Sequence, residues 1–307
     1  MRIAVTGASG RIGRVLLPEL IGAGHEVVGL ARSESSADLV RGAGARVVRG
    51  DLLDTSSLNG FIDGADRVLH LAGGVRGAGR TTPDLLNRVA TENLAGVVGE
   101  TPVVLASSCA VYGDRSNLWV EEDFEPSPNT RYGTSKVAAE GIARERGWTI
   151  ARIAAIYGAG FPFAMVERMR AGKAWLPGEG RNHVPTMHVD DCVRALVLLA
   201  EAEPGLIVHL ADRSQPTLRE FYDCVHQRVG GTPMRFWSTY VPSYVQLWAA
   251  RNNERLQSRI DQKPRFTPDS LRLFTNSVRL RTRVLEGLGF EWLHAEHEAG
   301  IAATWTP

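Results

Sequence analysis

The sequence predicts an α/β protein with a doubly wound parallel β-sheet and a smaller mixed region toward its C-terminal end. Short β-rich runs alternate with helical ones through the first half of the chain. These runs lack a regular polar alternation, which indicates strands that are covered on both faces. The first run also leads through a glycine-rich turn into a helix. We therefore expect a cofactor domain over 1–155, with 184–213 returning to it, and a substrate-binding region over 156–183 and 214–307.

The individual elements follow from runs of β-branched residues and from apolar residues at helical spacing. Strands are predicted at residues 2–7, 25–31, 46–51, 66–73, 102–108 and 148–158. Helices are predicted at residues 11–24, 84–99, 130–147, 161–173 and 191–202, with a loop over 176–191. The last ninety or so residues hold most of the tryptophans and give a less regular pattern.

Composition excludes several classes of function. The chain has 307 residues, 44% of them hydrophobic and 22% charged, and a formal net charge of +1. This balance gives no electrostatic footprint for nucleic acid or a membrane surface, so a small-molecule substrate is the expected partner. The cysteines, Cys109, Cys192 and Cys224, lack metal-ligand spacing, and no metal site is predicted. With no apolar run of about 20 residues and a first strand that starts at residue 2, we expect a cytoplasmic protein.

The first motif is the glycine loop TGASGRIG, which spans Thr6–Gly13 between a strand and a helix. Gly7 permits a tight turn, Gly10 lets the backbone approach a pyrophosphate, and Gly13 allows close helix–strand packing. The helix N-terminus then faces the phosphates. A plain β–α turn is the alternative, but the position in the first β–α unit favours a Rossmann-type dinucleotide site. Its loop contacts are predicted at Gly7, Ser9, Gly10, Arg11 and Ile12.

The end of the second strand indicates which dinucleotide is bound. An acidic residue there would hold the ribose hydroxyls of NAD, whereas this strand ends at Ala31 and is followed by Arg32. Arginine can bind the 2′-phosphate of NADP, so NADP(H) is preferred and NAD(H) is the alternative. The nearby Glu34 complicates this prediction. Asp51, followed by Leu52, is placed to accept a hydrogen bond from the adenine amino group.

The second motif is RYGTSKVAAE, residues 131–140, which holds one of only three lysines in the chain. Tyr132 and Lys136 are spaced i, i+4 and therefore share a helix face. A nearby ammonium stabilises phenolate and lowers the tyrosine pKa, and its compact donors can also bind ribose hydroxyls. Ser107 and Ser108 end the fifth strand, where a hydroxyl can meet a substrate oxygen, and Asn87, a predicted cofactor contact, starts the preceding helix.

These motifs, with HLAG (70–73), SSCAVYG (107–113), RIAAIYGAG (152–160) and HVDD (188–191), resemble the extended short-chain dehydrogenase/reductases, the NAD(P)-dependent epimerase/dehydratase family. The resemblance covers about residues 1–215. It implies Ser108 as the catalytic hydroxyl, Tyr132 as the general acid/base and Lys136 as its partner. It further implies that His70 to Gly73, including Leu71 and Ala72, line the cofactor, and that the protein is a homodimer through helices that include the Tyr132–Lys136 helix.

Departures from the family bear on the substrate. Ala155 stands where sugar-nucleotide epimerases usually carry an asparagine, and Val184 where they carry an arginine; Arg181 is the nearest substitute. Dehydratases place an Asp-Glu pair where this chain has Cys109 and Ala110. Cys109 is either a proton donor or a small packed residue. The substrate contacts predicted are therefore Ser108, Cys109, Tyr157 and Arg181.

The C-terminal aromatics are Phe236, Trp237, Tyr240, Tyr244 and Trp248, which form either core or an apolar substrate wall. Three functions are compatible with the motifs. The first is an NADP(H)-dependent reductase of a ketone, or the reverse alcohol dehydrogenase. The second is a sugar-nucleotide epimerase with the same triad, and the third is a non-catalytic NADP-binding regulator.

Overall fold

The computed structural model describes residues 1–75, 81–116, 118–159, 161, 164–237, 248, 252 and 267–305. Its centre is a seven-stranded sheet in the order β11-β7-β5-β4-β1-β2-β3, and every pairing between neighbouring strands is parallel. The strands of this sheet are β1 (Arg2–Thr6), β2 (Glu26–Ala31), β3 (Arg46–Arg49), β4 (Arg67–His70), β5 (Val103–Ser108), β7 (Thr149–Ile153) and β11 (Ile207–Leu210). The predicted doubly wound α/β architecture is confirmed.

Six short strands pair outside the large sheet, and each of their pairs is also parallel. They are β6 (Trp119–Val120) with β13 (Arg279–Leu280), β8 (Ala155–Tyr157) with β10 (Thr186–His188), and β9 (Trp175–Pro177) with β12 (Arg235–Trp237). The strands of the large sheet lie within residues 1–155 or 184–213. The division into two domains remains a prediction.

Helices cover both faces of the sheet. They are α1 (Arg11–Gly22), α2 (Glu34–Gly42), α3 (Ala90–Ala95, after a π turn at Leu85–Val89), α4 (Arg131–Glu145), α5 (Ala164–Arg170), α6 (Val189–Glu201), α7 (Leu218–Val229), α8 (Pro268–Thr275), α9 (Arg283–Gly287) and α10 (His297–Thr304). Helix α1 packs on α6 and buries Leu16, Leu17 and Leu20, one stripe at helical spacing. Among the helices of the described residues, none is long and apolar enough to cross a bilayer.

Two of the predicted boundaries are wrong. The run 148–158, predicted as one strand, divides between β7 in the large sheet and β8, which pairs with β10 instead. The predicted loop over 176–191 contains β10 and the start of α6. The chain leaves the large sheet at Ala154, whose N–H donates to Leu210 O, and Ala155 N then donates to Pro185 O beside β10. The spacing of apolar residues cannot reveal such a change of partner strand, because β7 and β8 are both largely apolar.

The core consists of one layer on each face of the sheet and a smaller cluster beside it. The two layers hold buried aliphatic residues such as Ile3 and Leu20 on one face and Leu58 and Leu105 on the other. The smaller cluster joins α5, α7 and α10 around buried side chains, namely Tyr157, Met169, Leu176, Phe221, Val225 and Ile301. The smaller cluster therefore packs around Tyr157, the last residue of β8.

Candidate active site

The glycine loop lies where the strand order reverses, between β1 and β4. Gly7 has φ +67, and a Cβ placed on it would lie 2.7 Å from Ala72 N. A Cβ on Gly13 would lie 2.4 Å from Ala8 O. Only glycine fits these positions, because any side chain would collide with fixed backbone. The close approach leaves an open surface above the loop at the N-terminus of α1, which is the site that a dinucleotide pyrophosphate requires.

A continuous cleft runs along the carboxyl edge of the sheet from β2 to β7. Two adjoining cavities of about 240 and 430 Å³ compose it, and Gly7, Gly10, Leu71 and Gly73 line both. Small-molecule sites usually have volumes of roughly 300–1,000 Å³. The predicted cofactor residues that line the smaller cavity are Gly7, Ser9, Gly10, Arg32, Asp51, Leu52, Leu71, Ala72 and Gly73. Those that line the larger cavity include Arg11, Ile12, Tyr132 and Lys136.

Arg32 lies in the smaller cavity with its charge available. Glu34, which complicated the prediction, is directed elsewhere: its carboxylate pairs with Arg41 at 2.7 Å and with Arg49 at 3.3 Å. The hydrogen bond from Arg41 holds the pKa of Glu34 below its usual range. Within the part of the chain that the structure describes, Arg32 has no carboxylate partner. Its guanidinium can therefore meet an anionic group at the adenosine end of the cleft.

Asn87 does not line the cleft; it supports one wall. Its amide Nδ2 donates to Gly74 O at 3.0 Å, and its Oδ1 accepts from Gly74 N at 3.2 Å. The same Nδ2 lies 3.0 Å from Ser135 Oγ on α4. The side chain is buried and fixes the loop after β4 against the helix that carries the candidate catalytic residues. These bonds position backbone at the wall of the cleft, and the predicted contact of Asn87 with the cofactor remains a prediction.

Three successive residues at the end of β5 are tied to three successive turns of α4. Lys136 Nζ donates to Ala106 O at 2.7 Å, and Ser107 Oγ donates to Glu140 Oε1 at 2.6 Å. The Ser108 hydroxyl lies beside the Tyr132 phenol, and both residues line the larger cavity. The helix begins just before this set, where Thr130 accepts a hydrogen bond from Gly133 N. Because the helix residues are spaced i, i+4 and i+8, they form one ladder along β5.

The pKa values within this ladder depend mainly on burial. Burial raises the pKa of Tyr132 to about 12, and the hydrogen bond with Ser108 opposes that rise. Burial lowers the pKa of Lys136 to about 8, and the charge of Glu140 opposes that fall. The predicted lowering of the tyrosine pKa by Lys136 is not seen here, because burial dominates and the ammonium donates to Ala106 O. Tyr132 is therefore protonated at neutral pH and suited to donate a proton.

Three predicted substrate residues lie outside the cleft. Cys109 is half-buried and does not line it, and burial raises the pKa of its thiol to about 11. Tyr157 is completely buried in the smaller core cluster, with its ring packed edge-on against His188 and Phe221. Arg181 is exposed and pairs with Glu179 at 3.2 Å. Only Ser108 of that set faces the cavity.

The C-terminal aromatics are only partly described. Phe236 is half-buried against the smaller core cluster and lies under the guanidinium of Arg219, away from the cleft. Trp248 is exposed. Tyr240, Tyr244 and the side chain of Trp237 lie outside the described residues. The predicted core position is therefore seen for Phe236, and no apolar wall is formed by it.

Some site residues were not predicted. Glu140 was not predicted; it accepts from Ser107 Oγ in the ladder, and Arg152 binds it through two nitrogens, Nε to Oε1 at 3.0 Å and Nη2 to Oε2 at 2.8 Å. The i+4 spacing of Glu140 from Lys136 is a signal that could have identified it. The apolar lining is formed by Val75, Ala154, Ile156 and Phe161, for which the sequence offers no signal.

The fold, the glycine loop and the Ser–Tyr–Lys ladder define a nicotinamide-dependent oxidoreductase of the extended short-chain type. The family model of the NAD dependent epimerase/dehydratase family matches residues 3–211. The chain belongs to this family, and the predicted resemblance is confirmed. The expectation of an NAD(P)-dependent oxidoreductase-type enzyme is confirmed with it.

Similar proteins include enzymes named for reduction. The chain is 30% identical over 239 residues to a 4-hydroxy-2-methyl-3-oxo-4-farnesyl-3,4-dihydroquinoline-1-oxide ketoreductase of Stigmatella aurantiaca, covering 72% of this chain and 71% of that one. It is 29% identical over 250 residues to a 2'-dehydrokanamycin reductase of Streptomyces kanamyceticus, covering 75% and 67%. A UDP-glucuronic acid 4-epimerase from Bacillus cereus, solved with UDP-glucuronic acid and NAD, has a TM-score of 0.75 at 20% identity, over 99% of this chain and 98% of that one. That likeness shows the shared fold.

Proposed function

We propose that this protein is an NADPH-dependent reductase of a ketone. The observation that carries the proposal is the larger cavity beside Ser108 and Tyr132, where Val75, Ala154, Ile156 and Phe161 form an apolar wall. A carbonyl on an apolar skeleton suits such a wall. The reductases among the similar proteins support the same reaction class.

The preference for NADPH over NADH rests on Arg32. Its guanidinium, which has no carboxylate partner among the described residues, lies in the smaller cavity, where Asp51 also faces the cleft. The glycine loop would hold the pyrophosphate, Asp51 the adenine and Arg32 the 2′-phosphate. Lys136, with Gly73 beside it, would hold the nicotinamide ribose. A structure of human epimerase family protein SDR39U1 (isoform 2) with NADPH has a TM-score of 0.75 at 18% identity, so the fold accepts this cofactor in at least one relative.

The side chains of the ladder would carry the proton chemistry. When bound, the reduced nicotinamide supplies the hydride. Ser108 donates a hydrogen bond to the carbonyl oxygen and stabilises the charge that develops there. Tyr132 holds its proton at Oη, because its pKa is raised to about 12, and delivers it to the same oxygen. Lys136 keeps a positive charge beside the developing phenolate as long as the pH stays below about 8.

Cofactor preference is tested by titrating NADPH and NADH against the wild type, Arg32→Ala and the control Arg228→Ala, followed by nicotinamide fluorescence. Arg228 is exposed on α7, outside the cleft. We expect Arg32→Ala to weaken NADPH binding by about 10-fold or more, since a charge-assisted contact contributes about 1.5–3 kcal/mol, and to leave NADH unchanged. Equal loss of both cofactors would contradict the role of Arg32. No binding of either cofactor would contradict the dinucleotide site itself.

Turnover is tested with a panel of ketones and Tyr132→Phe. We expect stoichiometric consumption of NADPH by the wild type and a loss of about 10²–10⁴-fold in the variant, with cofactor affinity retained. Interconversion of a UDP-sugar without net cofactor consumption would instead identify an epimerase, the second candidate, which the fold shared with the Bacillus cereus enzyme favours. Wild-type turnover that is unchanged in Tyr132→Phe would exclude the proposed acid.

Assembly as a homodimer through α4 and its neighbouring helices also remains a prediction. Light scattering coupled to size exclusion measures it directly, because a dimer would have twice the 33.4 kDa mass of the chain. A monomer across the accessible concentration range would contradict it.

A further inference from the structure

A cluster of nitrogen and carboxylate groups lies away from the cleft, where the start of α6 meets the C-terminal segment. His188 Nδ1 lies 3.7 Å from Asp190 Oδ2, and His294 Nε2 lies 3.9 Å from the same oxygen. The three ligand atoms all lie within 4.8 Å of one another. His188 is buried, whereas Asp190 and His294 are half-buried. The proposed reductase function does not use these residues.

The hydrogen bonds around His188 determine its tautomer. The Thr304 hydroxyl donates its proton to Gly300 O at 2.8 Å, so its oxygen can only accept from His188 Nε2, 3.1 Å away. Nε2 therefore carries the ring proton, and Nδ1 presents a lone pair. That lone pair accepts a long hydrogen bond from Asp190 N at 3.3 Å and otherwise faces the Asp190 carboxylate. Ligating histidines commonly have this arrangement, with the second ring nitrogen donating to a fixed oxygen.

Once Nε2 holds the ring proton, His188 Nδ1 and Asp190 Oδ2 are both acceptors, so neither can donate to the other across the 3.7 Å between them. A cation placed between them would satisfy both, in exchange for the long hydrogen bond from Asp190 N. The ring centroids of His188 and His294 lie 4.2 Å apart, which brings the second imidazole to the same place.

The backbone around the cluster is fixed from a second side. The buried Asp191 carboxylate accepts from Leu293 N at 2.7 Å and from His294 N at 2.8 Å. These bonds hold the C-terminal segment against the start of α6 and bring His294 to Asp190. In a tetrahedral zinc site, bonds of about 2.0–2.1 Å place neighbouring ligand atoms about 3.3 Å apart. The two separations from Asp190 Oδ2, 3.7 Å to His188 Nδ1 and 3.9 Å to His294 Nε2, exceed that value by about half an ångström, and the two histidine nitrogens lie within 4.8 Å of each other. Side-chain rotation can bring the three atoms to bonding distance of one ion.

We propose that His188, Asp190 and His294 form a binding site for one divalent transition-metal ion, with Zn²⁺ the best match. Two imidazoles and one carboxylate are typical zinc ligands, and the exposed side of Asp190 leaves a fourth position for water. The ion fastens the C-terminal segment to α6. Sequence spacing does not reveal the site, because His294 is distant from the HVDD motif along the chain.

The site is tested with full-length protein that carries no histidine tag and has been freed of metal with a chelator. Zn²⁺ is titrated in competition with a chromophoric chelator into the wild type, His294→Ala, Asp190→Asn and the control His226→Ala. His226 lies on α7, outside the cluster. We expect one ion per wild-type chain and in the control, and a loss of affinity of about 100-fold or more in the two cluster variants. Equal binding by all four proteins would overturn the proposal, as would no binding by the wild type.

Co²⁺ binding and thermal unfolding separate this site from adventitious binding and from misfolding. Visible absorption of tetrahedral Co²⁺ without a thiolate band is expected, since the ligands are nitrogen and oxygen; a thiolate band would place the metal on a cysteine and overturn the proposal. Zn²⁺ should raise the unfolding temperature of the wild type and of His226→Ala, and leave that of Asp190→Asn unchanged. Metal-free Asp190→Asn that unfolds like the metal-free wild type shows that the variant is folded. A rise that is equal in Asp190→Asn would overturn the proposal.

Discussion

Two buried carboxylates occupy opposite electrostatic environments in this molecule. Glu140, beneath the candidate catalytic residues, is 1% exposed and is held by both Nε and Nη2 of Arg152. Asp212, two residues after β11, is 0% exposed, and among the described residues it accepts from neutral donors, Thr186 Oγ1 and His188 N, each at 3.0 Å. Burial raises the pKa of Asp212 to about 7.

The difference shows where the fold retains charge. An ionised carboxylate beneath the active site opposes the desolvation of Lys136, whose pKa burial lowers to about 8. Arg152 pairs with Glu140, and its Nη1 donates to Tyr112 Oη at 2.5 Å. Among the described residues Asp212 has no cationic partner, and its pKa near 7 leaves it about half ionised at neutral pH. The carboxylate beneath the active site is therefore held by a cation, whereas Asp212 is held by neutral donors.

The largest expected effect comes from removing the charge of Glu140. Glu140→Gln leaves Arg152 buried without its anion, and breaking such a pair costs about 3–5 kcal/mol. We expect the free energy of unfolding in urea to fall by that amount. The double variant Glu140→Gln/Arg152→Met should recover most of the loss, since no isolated charge remains. A single variant as stable as the wild type would contradict a charged pair at this site.

The second-largest expected effect is a pH dependence of the free energy of unfolding, which arises from Asp212. The folded pKa of Asp212 is about 7, above the unfolded value of about 3.9, so the folded state binds the proton more tightly. This contribution to stability is complete below about pH 4 and is lost as the pH rises through about 7. Asp212→Asn cannot ionise and keeps the neutral form at every pH.

Denaturant unfolding of the wild type and Asp212→Asn between pH 4 and 8, with a chelator present, measures this effect. We expect the wild type to lose on the order of 2–4 kcal/mol relative to the variant over that range, at about 1.36 kcal/mol per unit of pKa shift. Thr186→Val is the matched control, because it removes one donor to Asp212 and should raise the carboxyl pKa further. Parallel pH profiles for the wild type and Asp212→Asn would show that Asp212 has an ordinary pKa.

The cofactor half of the fold could be predicted from sequence because its signals are local. The β–α alternation, the glycines at Gly7, Gly10 and Gly13 and the i, i+4 pair Tyr132–Lys136 each depend on residues within one turn or one unit. Helix α2 and strand β11 were not predicted, although α2 has a regular N-cap in which Ser33 accepts from Ser36 N. Both elements are short, nine residues in α2 and four in β11, so neither is long enough to show a clear period.

The rest of the site depends on contacts between distant parts of the chain. Tyr157 ends a run that resembles a single strand, yet the change of partner at Ala154 carries it into the smaller core. Arg152 meets Glu140 across the β5–β7–α4 layer, and His294 reaches Asp190 through hydrogen bonds to Asp191. No pattern within a window of sequence encodes such pairings, because the register of distant segments determines them.

The smallest expected effect concerns the hydrogen bond between Ser107 on β5 and Glu140 on α4. Ser107→Ala removes the hydrogen bond to Glu140 Oε1, while Arg152 still neutralises that carboxylate. We expect a loss of about 1–2 kcal/mol in unfolding free energy, with kcat lowered less than about 10-fold and KM for NADPH unchanged. The control Ser214→Ala removes a comparable hydroxyl, which bonds His297 Nδ1 at 2.9 Å outside the cleft, and should leave kcat at the wild-type value. If both variants lower kcat equally, the ladder does not position Ser108 against Tyr132, and the buried charge beneath it serves stability alone.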